Sequence, residues 1–332
     1  MAFLYRISAT VEKRARDFMR IIIGNIIFIL SLSIISRILI GSELLSTNDF
    51  RVIEAKVLKL DKKYGAKKVL LVFDFDNTLL AMNQPLGSDQ WFDWQASLLL
   101  SKGKKSPYLV GNDFDDLLAI QGVLFSFMHM RPTQESVPAI VSRLQKSGHK
   151  TIVLTSRGPG YRYDTIRELL RNGISFNSTG FGNVAFDKVG LTFDPKTVAQ
   201  EYGFKKESIK ALKIEKARYS AYLNGVFFTS GQNKGVMLRI LLQDAGFQPK
   251  AIVFVDDKIK HTEAVRKVYE GSSTEIIAVH YTREDPIVEA FRKMDKKDIN
   301  KKWHQLRYQL KNGTSSDIRK AAEGLLDKGK QS

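Results

Sequence analysis

Two aspartates one residue apart follow a short apolar run early in the chain. Residues 69–73 are all apolar, Asp74 and Asp76 come next, and Asn77 and Thr78 then turn the chain. A short apolar run that ends abruptly in polar residues is typical of a buried strand in a parallel sheet. Because open α/β sheets carry their chemistry beyond the carboxyl ends of such strands, we expect Asp74 and Asp76 to mark a functional site.

Two ionised carboxylates this close repel each other, and a bound cation removes that cost. Magnesium suits the pair because it takes a few carboxylates together with waters and phosphate oxygens. The residue types therefore indicate a metal-assisted carboxylate nucleophile with an acid/base partner. A plain turn after a buried strand is the alternative that the pair alone leaves open.

The string Asp74-Phe-Asp-Asn-Thr-Leu-Leu80 resembles the first motif of the haloacid dehalogenase (HAD) superfamily in its phosphatase form. The other three motifs of that superfamily have counterparts here in the same order, at the ends of apolar runs or before helix-like apolar spacing. Their residues are Thr155, Lys234 and the pair Asp256 and Asp257. The ordered set of four, rather than any single motif, carries the resemblance, which covers residues 68–282.

The resemblance implies a role for each of these residues. Asp74 would attack phosphorus and form an aspartyl-phosphate, which splits one difficult hydrolysis into two easier steps. Asp76 would protonate the leaving oxygen and then take a proton from the attacking water. Thr155 and Ser156 would hold phosphoryl oxygens, and Lys234 would bind the substrate and neutralise charge on the nucleophile and the phosphate.

The resemblance also implies a Mg²⁺ cofactor, held by Asp74, by the backbone carbonyl of Asp76 and by Asp256. Asp257 would lie behind these ligands and orient water or Lys234. Each of these residues has a plain alternative, because a polar residue at a strand end is usually a helix cap or part of a turn. Asp76 argues against a dehalogenase, whose leaving halide needs no proton.

The predicted function is Mg²⁺-dependent hydrolysis of a phosphoric monoester through Asp74, with a phosphorylated small molecule or phosphoprotein as substrate. Two alternatives stay open: a catalytically inactive HAD-like binding or anchoring module, and a translocated effector phosphatase that acts on a host phosphoprotein. The spacing looks closest to a functionally unassigned bacterial branch of the superfamily found in intracellular pathogens. Nucleic acid is the least favoured partner.

The chain has 332 residues, of which 43% are hydrophobic, enough for one large α/β domain with additions. We predict a Rossmann-like, doubly wound parallel sheet of the HAD-like kind over residues 68–282. A small cap-like insertion would span residues 81–130, and a β-rich elaboration would span residues 176–230. A linker over residues 41–67 would precede this domain, and a basic helical tail over residues 283–332 would follow it.

Some residues within these segments admit two interpretations. Trp91, Phe92 and Trp94 could line a pocket for a flat leaving group, although we expect at least one of them in the core. Arg157 could reach a phosphate or only an acidic neighbour. The Asn-Gly pair at residues 224–225, flanked by apolar residues, predicts a β-hairpin.

The N-terminal region contains an apolar run over residues 21–40 that is long enough to cross a bilayer. A basic leader over residues 1–20 precedes it, so the positive-inside rule keeps the N-terminus cytoplasmic. We therefore predict an N-terminal apolar helix that acts as a signal-anchor, with the catalytic domain in the bacterial periplasm. A cleaved secretory signal, translocation into a host cell and a buried soluble helix are the alternatives.

The net charge is +17, and the excess is concentrated at both ends of the chain. The basic stretch 293–302, with Trp303 and Tyr308 after it, could touch anionic lipid or nucleic acid. We prefer the plainer interpretation of a solvated helical tail with mixed charges. A basic groove would also attract phosphorylated substrates.

Overall fold

The apolar runs become the strands of two sheets in the computed structural model, which describes residues 41–101, 106–182 and 184–313. The strands are β1 (Ser42–Thr47), β2 (Val69–Phe73), β3 (Leu80–Met82), β4 (Met130–Pro132), β5 (Lys150–Thr155), β6 (Gly190–Leu191), β7 (Tyr219–Leu223), β8 (Val226–Phe228), β9 (Ala251–Asp256) and β10 (Glu275–Tyr281). The helices are α1 (Phe50–Tyr64), α2 (Asp89–Leu100), α3 (Phe114–Phe127), α4 (Val137–Lys146), α5 (Arg162–Arg171), α6 (Val198–Glu201), α7 (Ile209–Leu212), α8 (Lys234–Asp244), α9 (Ile259–Tyr269), α10 (Asp285–Lys293) and α11 (Lys297–Asn312).

The large sheet has the strand order β1-β10-β9-β2-β5-β8-β7-β6. The first six strands in this order run parallel, and β7 and β6 are antiparallel to their neighbours. From β2 the chain adds β5 and β8 on one side and later β9 and β10 on the other. This reversal leaves a crevice at the carboxyl ends of β2 and β9. The prediction of an α/β fold with a mostly parallel, Rossmann-like sheet is confirmed.

Helices cover both faces of this sheet, which explains why its central strands are apolar throughout. Val69, Leu71 and Phe73 of β2 point into one core together with α1, α4 and α5. Leu70 and Val72 point into the opposite core, which α8 and α9 close. Because both faces are buried, the end of β2 is held firmly in place.

Residues 41–67 belong to this sheet and its helical layer, which corrects the predicted linker. β1 pairs in parallel with β10 along its whole length, from Ser42 opposite Ile276 to Thr47 opposite Tyr281. In α1, one apolar face is buried against the first core. The Asp49 carboxylate caps this helix by accepting a hydrogen bond from the backbone N–H of Arg51 at 2.9 Å.

The predicted insertion and the described part of the tail pack together. They share a third apolar cluster, formed by Leu86, Trp91, Leu117, Leu124, Met128, Phe291, Ile299, Trp303 and Leu306. Trp303 is only 4% exposed, whereas Tyr308 is 64% exposed. Helices α10 and α11 are therefore not a simply solvated tail, because one face of α11 is part of a core.

The segment 176–230 contains the hairpin that the Asn-Gly pair predicts. Asn224 and Gly225 connect β7 to β8 with φ angles of 51° and 80°, as a tight hairpin turn requires. A Cβ atom on Gly225 would lie 2.4 Å from the carbonyl oxygen of Phe176, so only glycine fits there. The segment is β-rich only in part, since it also holds α6 and α7, and β8 joins the large sheet.

Among the described residues, no helix is both long and apolar enough to cross a membrane. This finding contradicts the predicted membrane anchor and the periplasmic placement that was built on it. The predicted leader (1–20) and apolar helix (21–40) themselves lie outside the described residues.

Candidate functional site

The first motif leaves strand geometry directly after β2. The backbone N–H of Asp74 still bonds to the carbonyl of Val255 on β9, at 2.8 Å. Asn77 then adopts a left-handed φ of 54°, and its N–H bonds to the carbonyl of Leu80 at 2.8 Å. This tight turn holds the Asp74 carboxylate at the switch point of the sheet, where it is only 5% exposed.

A buried lysine joins the first and fourth motifs. Lys234 Nζ lies 2.5 Å from Asp74 Oδ1 and 2.6 Å from Asp256 Oδ2, and the lysine is 1% exposed. Burial acts to lower the pKa of Lys234, but the charges of Asp256 and Asp74 outweigh it and raise that pKa. The lysine is therefore a fixed positive charge between two carboxylates.

Two features of α8 place this lysine. Asn233 caps the helix by accepting a hydrogen bond from the N–H of Val236 at 3.2 Å, so the helix starts at Lys234. A Cβ atom on Gly235 would lie 2.5 Å from the carbonyl oxygen of Ala264 in α9. The two helices therefore approach closely only because residue 235 is glycine.

The two aspartates that end β9 differ in their partners. The Asp256 carboxylate accepts hydrogen bonds from the N–H of Lys258 at 2.9 Å and from His261 Nδ1 at 3.0 Å, in addition to Lys234. The N–H of Asp257 donates to Thr78 Oγ1 at 3.0 Å. Its carboxylate, in contrast, accepts no hydrogen bond from any residue that the structure describes.

Three carboxylates come close enough to share one cation. One oxygen each of Asp74, Asp256 and Asp257 lie within 4.8 Å of one another. Burial and the neighbouring negative charges raise the pKa of Asp257 well above its ordinary value. Burial likewise raises the pKa of Asp74, even though Lys234 opposes it. A divalent cation would remove this repulsion, so the donor set fits a Mg²⁺ ion.

Asp76 does not face this cluster as a free carboxylate. Arg157 binds it in a bidentate pair, with Nε to Oδ2 and Nη2 to Oδ1 both at 2.8 Å. The guanidinium also donates to Thr165 Oγ1 at 3.1 Å. It lies 4.4 Å from the centre of the Phe75 ring and 3.6 Å from that of Phe125. Of the two partners that the sequence left open for Arg157, the structure therefore shows the acidic one.

The second motif ends the neighbouring strand, β5. Thr155 is buried, and its Oγ1 accepts a hydrogen bond from the N–H of Arg157 at 3.1 Å. Ser156, the next residue, is exposed at the carboxyl end of the sheet. The backbone N–H and side-chain hydroxyl of Thr229 both bond to the carbonyl of Thr155, at 3.0 and 2.8 Å, which anchors this strand end to β8.

A cleft of about 870 Å³ opens between the insertion and the carboxyl end of the sheet. Asp76, Ser156 and Arg157 line it, whereas Asp74, Lys234 and Asp256 are not among its lining residues. Phe92 also lines the cleft, while Trp91 is buried in the third apolar cluster. The aromatic segment thus contributes one side chain to the lining of the cleft and another to a core; a role in binding a flat leaving group stays a prediction.

Other residues of the site were not predicted from the sequence. His261 donates a hydrogen bond to Asp256. The one feature of the sequence that could have indicated this role is its place in the first turn of the helix that follows the acidic pair. Lys258 Nζ lies 2.9 Å from both Asp89 Oδ2 and Asp93 Oδ2 on α2. The spacing of four between these two aspartates indicated a shared helix face, but nothing in the sequence indicated Lys258 as their partner.

A family model described as "Protein of unknown function (DUF2608)" matches residues 46–315, which is most of the chain. The chain belongs to this family. No curated protein matches it. The description of the DUF2608 family assigns no chemistry to its members.

Proposed function

We propose that this DUF2608 protein is a Mg²⁺-dependent phosphoric monoester hydrolase of the HAD-like type that acts through an aspartyl-phosphate on Asp74. The observation that carries the proposal is the contact of Lys234 with both Asp74 and Asp256, at 2.5 and 2.6 Å. Asp74 lies 160 positions before Lys234 in the sequence, and Asp256 lies 22 positions after it. Their convergence at the switch point of the sheet is what such a catalytic centre requires.

A purely structural role explains this cluster less well. Taking three charges out of water costs several kcal/mol per ion, by order of magnitude, and apolar residues of similar volume often stabilise a fold as well. Here the buried charges lie beyond a strand end, next to a cleft, and the pKa values of Asp74 and Asp257 are shifted upward. Shifted carboxyl groups in such a place are typical of functional sites.

We assign the metal to Asp74, Asp257 and the backbone carbonyl of Asp76. Asp257 replaces Asp256 in this proposal because the Asp256 carboxylate already accepts hydrogen bonds from Lys234, Lys258 and His261. Asp256 would instead hold Lys234 in position. When bound, Mg²⁺ would supply positive charge to the phosphoryl oxygens and orient the phosphate.

The chemistry then follows from the side chains. The Asp74 carboxylate attacks phosphorus while the bond to the leaving oxygen breaks, and Lys234 offsets the negative charge that both partners bring. Asp76 gives a proton to the leaving oxygen. It later takes a proton from the water that cleaves the aspartyl-phosphate, which regenerates both carboxyl groups. Thr155 and Ser156 hold phosphoryl oxygens, and the insertion over residues 81–130 acts as a cap that limits access of water.

A binding module without catalysis is the second candidate, and one observation favours it. Both oxygens of Asp76 are engaged by Arg157, and Asp74 does not line the cleft. A protein that only recognises a phosphorylated partner would need neither carboxylate free.

Phosphate release from p-nitrophenyl phosphate separates the two candidates. We expect the wild-type protein to release phosphate with Mg²⁺ and to stop when EDTA removes the metal. Asp74→Asn is expected to lower kcat by roughly 10³-fold or more, since loss of a nucleophile has effects of this order. Asp298→Asn, an exposed aspartate on α11, is the matched control and is expected to keep full activity. Equal inactivity of wild type and Asp74→Asn on a broad set of phosphate esters would favour the binding module.

A further inference from the structure

One wall of the cleft is aromatic and comes from the insertion. Phe92 on α2 and Phe114 at the start of α3 both line the cleft, with their ring centres 5.9 Å apart and their planes at 72°. Phe114 is 51% exposed, which is high for so large an apolar side chain. Leu118 and Ala119 continue this wall along the same helix. A half-exposed phenyl ring that lines a cleft offers a surface on which another flat ring can stack.

The lining of the cleft also includes two exposed cations. Arg218 and Lys260 both line the cleft, and Arg218 lies next to Ser230 and Gly231. Arg218 donates a hydrogen bond to the carbonyl of Ser230 at 2.9 Å, which ties its guanidinium to the cleft rim. Neither cation forms an ion pair with a carboxylate in the described parts of the chain.

Most of the other charges that line the cleft are engaged in ion pairs. Asp76 is bound by Arg157, and Lys258 is bound by Asp89 and Asp93. Asp115 is the one lining carboxylate without an ion-pair partner among the described residues. The cleft therefore presents a polar floor, an aromatic wall and two cations, Arg218 and Lys260, that form no ion pair with a described carboxylate.

We propose that this cleft selects phosphate monoesters whose organic part carries an aromatic ring and a second negative charge. The ring lies against Phe114 with Phe92 at its edge, and the second anion faces Arg218 and Lys260. The phosphoryl group points to the floor formed by Asp76 and Ser156. This inference rests on the proposed function for the identity of the phosphoryl group, while the selection itself is a property of binding.

Phosphonates test the selection without any turnover, because their carbon–phosphorus bond is not hydrolysed. We would measure binding of phenylphosphonate, 4-carboxyphenylphosphonate and methylphosphonate to the full chain with Mg²⁺ by titration calorimetry. Phenylphosphonate is expected to bind about tenfold more tightly than methylphosphonate, the usual gain from one stacked ring. The carboxyphenyl compound is expected to bind more tightly still.

Two variants assign these gains to their residues. Phe114→Ala is expected to remove the preference for the phenyl compound and to leave methylphosphonate binding unchanged, which also reports that the protein is folded. Exchange of both Arg218 and Lys260 for Gln is expected to remove only the extra gain of the carboxyl group. Tyr308→Ala, which removes an exposed aromatic ring outside the cleft, is expected to change none of these affinities.

The outcomes separate this inference from the proposed function. Equal affinity for phenyl- and methylphosphonate, no binding of either, or an unchanged preference in Phe114→Ala would overturn the inference. Hydrolysis of phosphate esters without such a preference would leave the proposed function intact. Selective phosphonate binding by a protein that hydrolyses no ester would support the inference and contradict the proposed hydrolase function. In a protein that does hydrolyse esters, turnover of adenosine 3′,5′-bisphosphate against phosphotyrosine, both of which carry a ring and a second anion, would tell a nucleotide from an aryl ester as the source of the ring.

Discussion

The guanidinium of Arg157 binds both carboxylate oxygens of Asp76 at 2.8 Å, and it lies 3.6 Å from the ring centre of Phe125 in the insertion and 4.4 Å from that of Phe75. Arg157 is 6% exposed, so this pair is held in a largely dry environment. The pair fixes the orientation of the one carboxyl group to which we assign proton transfer. It also connects the end of β5 to the insertion, because Phe125 lies on α3.

The first prediction concerns this pair. We expect Arg157→Gln to lower kcat by about 10²-fold on an alkyl phosphate, whose leaving oxygen needs a proton, because Asp76 loses its fixed orientation. On p-nitrophenyl phosphate, whose leaving group needs little protonation, the loss is expected to be several-fold smaller. Steady-state kinetics on both substrates measure the difference.

A matched control exists for this experiment. Arg143 forms an equivalent bidentate pair with Glu54, at 2.9 and 2.8 Å, and neither residue lines the cleft. Arg143→Gln is expected to leave both rates unchanged. An equal loss on both substrates in Arg157→Gln would show that the arginine only stabilises the fold.

The second prediction separates the two aspartates after β9. We expect Asp257→Asn to raise the Mg²⁺ concentration for half-maximal activity at least tenfold, with little change in the melting temperature, because its carboxylate has no hydrogen-bond donor among the described residues. Asp256→Asn removes one of the two carboxylates that neutralise the buried charge of Lys234. This change is expected to cost about 3 kcal/mol of stability. Metal titration and thermal unfolding of both variants would show which of the two aspartates binds the metal. The reverse pattern would make Asp256 the ligand.

The third prediction tests how Lys234 is placed. Gly235→Ala puts a methyl group 2.5 Å from the Ala264 carbonyl oxygen and is expected to push α8 away from α9. Overpacking of this kind costs about 1–3 kcal/mol. The same shift moves Lys234, so kcat is expected to fall together with stability. Gly190→Ala meets no atom within 4 Å and is the control. If Gly235→Ala leaves both kcat and the stability unchanged, the close approach of α8 and α9 is not needed to place Lys234.

The fourth prediction is a pH dependence at a group outside the site. Burial acts to raise the pKa of Glu168, but hydrogen bonds from Arg171, from the N–H of Met130 and from His129 outweigh it and lower that pKa below its ordinary value of 4.5. A carboxyl group with a lowered pKa stabilises the fold above its unfolded-state pKa and loses this contribution as the pH falls through the folded-state value.

Glu168→Gln is therefore expected to cost about 2 kcal/mol near neutral pH. The difference from wild type is expected to shrink once the pH drops below 4.5. Urea unfolding of both proteins from neutral pH to below pH 4.5 measures this difference in the free energy of unfolding. Glu263→Gln, at an exposed glutamate, is the control. A difference that stays constant from neutral to acid pH would contradict the assignment.

The central strands of the large sheet could be predicted from the sequence. The apolar runs before Asp74, Thr155 and Asp256 end where β2, β5 and β9 end, because strands buried on both faces have to be apolar throughout. The same runs placed the three polar residues at one edge of the sheet. The resemblance carried by the four ordered motifs implied that Asp74 and Asp256 meet, and β2 and β9 are parallel neighbours in the sheet.

Contacts between distant segments could not be anticipated. β1 has only two apolar residues, and its pairing with β10 joins segments more than two hundred positions apart, so the region resembled a linker. The basic residues of the tail made it difficult to recognise the apolar face of α11, which includes Trp303 and Leu306. Asp256 and Asp257 are adjacent in the sequence, and only the positions of Lys234 and His261 in the structure show which of them is already engaged.

The most direct measurement is whether Asp74 itself carries the phosphoryl group during turnover. Wild-type protein would be mixed with p-nitrophenyl phosphate and Mg²⁺, quenched in acid within milliseconds, digested and examined by mass spectrometry. We expect a phosphorylated peptide that contains Asp74, that disappears with hydroxylamine and that is missing in Asp74→Asn. Phosphate release with no phosphorylated Asp74, or no release and no label under any condition, would contradict the account.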